Sequence, residues 1–407
     1  MINIQTKSLL IIFYLFVVTN CFSINKAKKF KSGIWHADLI ISKNNTIPFN
    51  FLIDYKSKIV TIINADEKIE LKTLQLNGNN FSLSFPIFNS EIIGKIVSKK
   101  LIKGFWYNYS KGDDYKIPFV SYFNNKNRFN QSVSNSKQFI GKWEVTFDYN
   151  KDKEKAIGLF DLKNNTIHGT FLTETGDYRF LEGVCFNDSL KLSCFDGSHA
   201  FLFNAKLKND TLWGDFYSGT HYHTNWYAIK NPSFELRDPE KLTYLKEEKP
   251  LEFIARDLND NDYLFPNNDT KNKVILVQIL GTWCPNCLDE TNYLKTLQKK
   301  YANDIKIIGV GFEVGETNQD KINKLKTYQS YLNIDYTLLF GGNACKPCAE
   351  DVFPMLNGIM SFPTLIIIDK QNNVRKIHTG FSGPSTGKYY TDFVNHTNQF
   401  IEKLIKE

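Results

Sequence analysis

The sequence predicts a multidomain chain: two antiparallel β units, each a barrel or a sandwich, followed by an α/β domain. Three observations predict it. Markers in the first half recur at nearly equal offsets; the strands there are short and separated by Asn/Asp/Gly turns; and the last third alternates apolar strands with helical patterns. The chain has 407 residues, 42% of them hydrophobic and 23% charged, which suits two or three domains that each bury a core.

At the start, Lys7 precedes a ten-residue apolar run, Leu9 to Val18. That run is too short to span a bilayer comfortably and reads as an export signal over residues 1–21. Val18-Thr19-Asn20-Cys21 resembles a bacterial lipobox, in which Cys21 would become the lipidated first residue and anchor the chain to a membrane. Ordinary cleavage after Ser23 is the alternative, and both place the mature chain in the cell envelope or periplasm. The net charge of +7 comes mostly from scattered lysines, and Lys26, Lys28, Lys29 and Lys31 form the one notable cluster. We read that cluster as a solvated linker. With no nucleic-acid motif in the chain, a nucleic-acid partner is not expected.

Gly33-Ile34-Trp35 recurs as Gly141-Lys142-Trp143, 108 residues on, and Lys103-Gly104-Phe105-Trp106-Tyr107 recurs loosely as Trp213-Gly214-Asp215-Phe216-Tyr217 at an offset of 110. The units are set at 31–124 and 139–230, with the polar stretch Asn125 to Ser136 as a linker. Turns such as Lys163-Asn164-Asn165-Thr166 and Lys208-Asn209-Asp210-Thr211 punctuate both. Cys185 and Cys194 flank a turn at Asn187-Asp188-Ser189; they are either cross-strand partners or two separate buried thiols. Phe195-Asp196-Gly197-Ser198-His199 and Gly219-Thr220-His221-Tyr222-His223 are the most unusual stretches. His221 and His223 would share a strand face, with His199 as a third ligand, but no carboxylate partner is evident and no metal is expected. Residues 231–250, with two prolines and a charge run, link to the last domain.

In the last third, Val274 to Leu280 is a buried strand and Leu288 to Tyr301 a helix. Ile305 to Val310 is a strand, 317 to 332 a helix with Ile322, Leu325, Tyr328 and Leu332 on one face, and Tyr336 to Phe340 a strand. Leu365 to Asp369 and Val374 to His378 form a hairpin, and Tyr389 to Lys406 a closing helix. Between the first strand and helix stands Trp283-Cys284-Pro285-Asn286-Cys287. The first cysteine lands at a helix N-terminus, where unpaired N–H groups and the macrodipole favour a thiolate, the nucleophilic form. Two intervening residues keep Cys287 within reach of a mixed disulfide at Cys284. Zinc sites also use CxxC, but no second pair stands at a finger-like spacing, and the strand–helix context favours redox chemistry.

On these residues, together with Gly281-Thr282, Glu290, Phe362-Pro363-Thr364 and Ile377-His378-Thr379-Gly380-Phe381, residues 250–407 resemble the thioredoxin-like domain of exported TlpA/ResA-type thiol–disulfide oxidoreductases, in the version found in Bacteroidota. The resemblance implies that Cys284 attacks, that Cys287 resolves, and that Pro363 is cis and faces the dithiol. There it would expose backbone groups to an extended substrate peptide. Glu290 stands where that family carries an acid; it either exchanges protons with the cysteines or complements the helix dipole. Trp283, Pro285, Phe362 and Pro363 would shape the docking surface, with simple packing as the plainer reading of Trp283.

A second CxxC, Cys345-Lys346-Pro347-Cys348, lies in an insertion spanning 341–360, to which the resemblance does not extend. A structural disulfide, a second redox pair relaying electrons, and shared zinc binding with Cys284 and Cys287 compete there. No GxSxG, Walker loop, HExxH or GxGxxG is present, so no cofactor is expected, and Gly380 to Gly387 lacks the ending of a phosphate loop. The expected function is an exported oxidoreductase that reduces the disulfides of partner proteins and is recharged by a membrane redox donor. The alternative is a cell-envelope binding protein whose β units recognise a protein or a glycan, and a thiol peroxidase is a lesser third.

Overall fold

The computed structural model describes residues 31–148, 151 and 153–407. The export signal, Cys21 and most of the lysine cluster lie outside the described residues. Two nine-stranded antiparallel sheets precede a seven-stranded mixed sheet flanked by helices.

The first sheet is a meander from Gly33–Ile40 to Lys116–Phe123, and these first and last strands pair with one another. The second repeats the plan, its first strand Gly141–Phe147 pairing with its last, Tyr222–Lys230. It also closes on itself, because Glu154–Lys163 pairs with both Gly141–Phe147 and Thr166–Thr173. Both sheets are barrel-like, and the recurring markers play equivalent parts. Trp35 and Trp143 are fully buried. Each indole N–H donates to the carbonyl four residues earlier, Lys31 at 3.0 Å and Phe139 at 2.7 Å. Alternation builds the walls. In Ile59–Asn64, Val60, Ile62 and Asn64 point inward and their neighbours do not. The Asn164-Asn165 and Asn209-Asp210 turns have positive φ at both central residues, as a tight hairpin needs.

The two β units are joined by the Phe195 to His199 stretch. Phe195 leaves its own barrel for the core of the first unit, stacking on Phe49 at 4.2 Å and meeting Trp106 and Phe85 edge-on. Asn64, Asn108 and Ser90 donate to the carbonyls of Phe195, Ser198 and Gly197. Arg128, from the segment between the units, is buried. It donates to Pro48, Ile63 and Ser193 and pairs with Glu182 at 3.4 Å. Cys185 and Cys194 are two separate buried thiols: the register sets Cys185 opposite Leu190, which leaves Cys194 out of step with it.

In the third sheet Val274–Leu280, Ile305–Glu313 and Thr337–Asn343 run parallel, and the remaining strands are antiparallel. Every residue of Val274–Leu280 is buried, since helices cover both faces of a central parallel strand. Leu294, Leu297, Ile401 and Leu404 of helices Pro285–Lys300 and Lys388–Lys406 pack on one face with Leu276 and Ile307. Phe253, Ala349 and Phe353 cover the other with Val277, Ile279 and Val310. Segment 341–360 is more ordered than a loop. The strand continues to Asn343, and Lys346–Val352 forms a short helix whose Ala349 anchors it to the core. A hairpin at Phe253–Asp257 and Asp262–Phe265 extends the sheet edge beyond what the sequence reading assigned. Among the described residues no helix is long and apolar enough to cross a membrane.

Candidate active site

Cys284 ends the turn after Val274–Leu280 and caps the helix Pro285–Lys300. Its backbone is extended, and its Sγ accepts the Cys287 N–H at 3.3 Å. Pro285 fits the first helical turn, where its missing N–H leaves no gap in the ladder. The sulfur thus replaces the hydroxyl or carboxylate of an ordinary cap, held by an amide that stabilises negative charge there. The Sγ–H also faces the Phe362 carbonyl at 3.4 Å. Cys284 is 8% exposed and Cys287 is fully buried, so Cys284 is the sulfur of the pair that solvent reaches. Burial holds the Cys287 thiol well above its ordinary pKa, and its hydrogen bond and proximity to Cys284 push the same way.

Glu290, one turn further, is fully buried, and neither carboxyl oxygen has a hydrogen-bond partner. Burial raises its pKa to about 8, the nearby Gln278 amide offsets part of that, and Cys284 adds to it. Glu290 is therefore not the exposed, solvated acid that complements a helix dipole. Gln278 is itself engaged, donating to the Cys287 carbonyl at 3.2 Å and accepting from Thr291 at 3.1 Å.

The turn into the dithiol is clamped by a residue the sequence reading missed. Glu313, at the end of the neighbouring strand, accepts from both the amide and the hydroxyl of Thr282 at 2.7 Å. Burial raises its pKa to about 7. Trp283 donates its indole N–H to the Phe312 carbonyl at 3.0 Å and stands edge-on to Phe362 at 5.7 Å. A Cβ on Gly281 would sit 2.3 Å from the Trp283 indole nitrogen, so only glycine lets the ring fold back there. The Phe362–Pro363 bond is cis.

The second β unit reaches this site. The turn after Thr166–Thr173 lies against the dithiol: Ser361 donates to the Thr175 carbonyl at 2.8 Å and Asn286 to the Asp177 carbonyl at 3.3 Å. Gly383 N–H and the Ser385 hydroxyl donate to the Asp177 carboxylate at 2.6 and 2.9 Å. Beside them the buried Arg179 meets Asp289 of the dithiol helix, Glu67 of the first unit at 2.6 Å and Asp196 at 3.6 Å. Several carboxylates share this one cation. Burial therefore leaves Asp289 raised to about 7, with Arg179 pulling it down and Asp177 and Glu67 opposing that. Ser198 donates to the Trp283 carbonyl at 3.3 Å. Of the segment before Pro363, Ser361 is buried beneath this turn, while Phe362 is half-buried and Met360 is 38% exposed. No local signal marks these contacts, most of which join residues more than a hundred positions apart.

The other sequence candidates are bonded elsewhere, although His199 and Lys346 line the same cavity as Cys284. Cys345 and Cys348 are disulfide-bonded to one another at the start of the Lys346–Val352 helix, so they do not share a metal with Cys284 and Cys287. The three histidines have different partners. His199 pairs with Asp196, His223 with Asp215, and His221, which precedes its strand rather than lying on it, sits against Lys111 and Tyr115. Burial and Lys111 lower the His221 pKa to about 4. No group of three or more ligating side chains suited to a metal occurs among the described residues.

Residues 245–392 match the Redoxin family model. The chain is 24% identical over 112 residues to a thioredoxin-like protein of Bacillus subtilis, YneN, a match covering 28% of this chain and 59% of that one. It is 28% identical over 145 residues to the thiol:disulfide interchange protein DsbE of Vibrio cholerae (35% and 70% covered). It is 27% identical over 162 residues to that of Escherichia coli K12 (39% and 78% covered). A solved thiol:disulfide interchange protein of Chlorobium tepidum shares 20% identity at a TM-score of 0.30, covering 39% of this chain and 97% of its own. The chain thus spans 59% of the Bacillus subtilis relative's length, and its C-terminal part is a thioredoxin-like redoxin domain.

Proposed function

We propose that this chain, ending in a redoxin domain, is an exported thiol–disulfide oxidoreductase that reduces partner protein disulfides through Cys284 and Cys287. The single observation that carries the reading is the cap geometry: Cys284 Sγ on the Cys287 amide, slightly exposed, with its partner thiol buried behind it. The Cys284 thiolate attacks one sulfur of the substrate cystine, and the other leaves as a thiolate and takes a proton. Cys287 then gives up its proton and attacks Cys284 Sγ. The second substrate thiol is released and a Cys284–Cys287 disulfide remains. Two electrons and two protons have passed to the substrate, and an external dithiol donor at the membrane must return them.

Glu290 would exchange protons with the cysteine pair; its burial one turn into the helix and its pKa raised to about 8 support that role. Trp283, Pro285 and Phe362, which line the cavity with Cys284, would shape the docking surface together with Pro363. The contacts of the second β unit with Asn286, Asp289 and Ser361 support this reading over one in which the redox domain is ancillary, since the β unit is part of the site. Export rests on the signal-like leader and lipid anchoring on Cys21. The test is disulfide reduction by the full chain: Cys284→Ala should abolish it and Cys345→Ala should leave most of it. Full turnover in Cys284→Ala would refute the assignment.

A further inference from the structure

We infer that the turn 174–178 of the second β unit sets the substrate class of the dithiol. It admits a compact disulfide, one carried by a small molecule or at the tip of a tight protein turn, and excludes a cystine within an extended strand. The inference rests on the oxidoreductase reading above and uses the same exchange of two electrons and two protons.

An extended peptide pairing beside Phe362–Pro363 would run about 4.8 Å from that segment, with its backbone in register. Here the turn occupies part of that approach, over Ser361, and leaves Met360 exposed beside it. The Thr175 carbonyl accepts from Ser361 at 2.8 Å, and Gly380 N–H already holds the Pro363 carbonyl at 2.9 Å. The turn is fastened to three separate parts of the redox domain. Asn286 and Asp289 hold it at the dithiol helix, through Asp177 and Arg179. Ser361 holds it before the cis proline, and Gly383 with Ser385 beyond it. The fit is close: a Cβ on Gly176 would lie 1.9 Å from the Asn286 amide nitrogen.

What remains open is a cavity of about 380 Å³ between the turn and the dithiol. Cys284 and Trp283 line its redox side, and Tyr178, His199 and Phe201 its β side. That volume is at the small end of ligand-sized pockets. A sulfur on a small molecule or a sharp turn can enter it, whereas a strand must first displace residues 174–178.

The experiment is single-turnover oxidation of the reduced full chain, quenched and read as the Cys284–Cys287 disulfide by mass spectrometry. The probes are 2-hydroxyethyl disulfide, a folded peptide with its cystine at a tight turn, and an unfolded polypeptide cystine. The two compact probes should oxidise the dithiol at least about tenfold faster than the unfolded one, the scale of discrimination that a steric wall supplies. Gly176→Val, which wedges the turn off Asn286, and Asp177→Ala, which frees it from Gly383 and Ser385, should each narrow that ratio. Reaction of only one compact probe would identify the source, a small molecule or a folded protein. Equal rates for unfolded and compact probes in the natural chain would overturn the inference and leave the oxidoreductase reading standing. A ratio unmoved by both variants would also overturn it. Failure of all three probes would overturn the oxidoreductase reading and the inference together.

Discussion

Replacing Glu290 by glutamine isolates what one buried carboxyl does to the pH dependence of folding. Its pKa stands near 8 in the folded chain against an ordinary value of 4.5, chiefly because burial disfavours the charged form. Below the ordinary value both folded and unfolded chains hold the proton. Between the two values only the folded chain holds it, so stability falls as pH rises through that window, and above about 8 the penalty is complete. At about 1.4 kcal/mol per pH unit, the whole window is worth on the order of 5 kcal/mol, and the part between about pH 5 and about pH 7 is worth about 2.5 kcal/mol. Glutamine cannot ionise. Its own burial penalty is the same at every pH, so only the slope reports on the carboxyl. Urea unfolding of the reduced protein across this range, read by hydrogen exchange in the helix Pro285–Lys300, should show E290Q gaining about 2.5 kcal/mol on the natural chain from the lower to the higher pH. Parallel pH profiles for the two proteins would refute the reasoning, since they would mean that Glu290 is not held neutral by burial.

Other expectations concern the dithiol and the joints between units. Cys287→Ser should trap a mixed disulfide between Cys284 and substrate, visible as an adduct that reductant removes; a failure to accumulate one would count against the assigned order of attack. Arg179→Met should strand Glu67, Asp196 and Asp289 without their cation and destabilise the chain by about 3–5 kcal/mol. The deficit should be smaller near pH 5, where Asp289, raised to about 7, is already neutral, and a thermal melt at two pH values reads it. Phe195→Ala should cost about 3–5 kcal/mol by removing the stack on Phe49 and the edge-on contact with Trp106, with hydrogen exchange rising first in the first β unit.

The redox domain was legible in the sequence because its signals are local. Val274 to Leu280 is apolar throughout as a doubly covered strand must be, and the proline and cysteine spacing marks the cap. The repeat was legible because Gly33-x-Trp35 and Gly141-x-Trp143 perform the same packing task twice. The hairpin Phe253–Asp257 with Asp262–Phe265 was missed: its strands are short and leave Ile254 and Leu264 exposed, which breaks the alternation a reader looks for. The union of β units and dithiol was not legible at all. Arg179 is a surface-type residue in sequence, and only the fold brings it to Asp289, 110 positions away. The Phe195 to His199 stretch stood out for its composition and was weighed for metal binding, whereas its work is to join the barrels and support Trp283. Cys185 and Cys194 shared a hairpin, but register, which sequence does not encode directly, set them apart.

The most direct test of the account is a redox titration of the chain without residues 1–21, with mass spectrometry reading each cysteine pair separately. The account predicts that Cys284–Cys287 titrates reversibly near the thioredoxin value of about −270 mV or below, as a reductant does. A pair that never oxidises, or one that titrates near about −120 mV as a disulfide donor does, would contradict it.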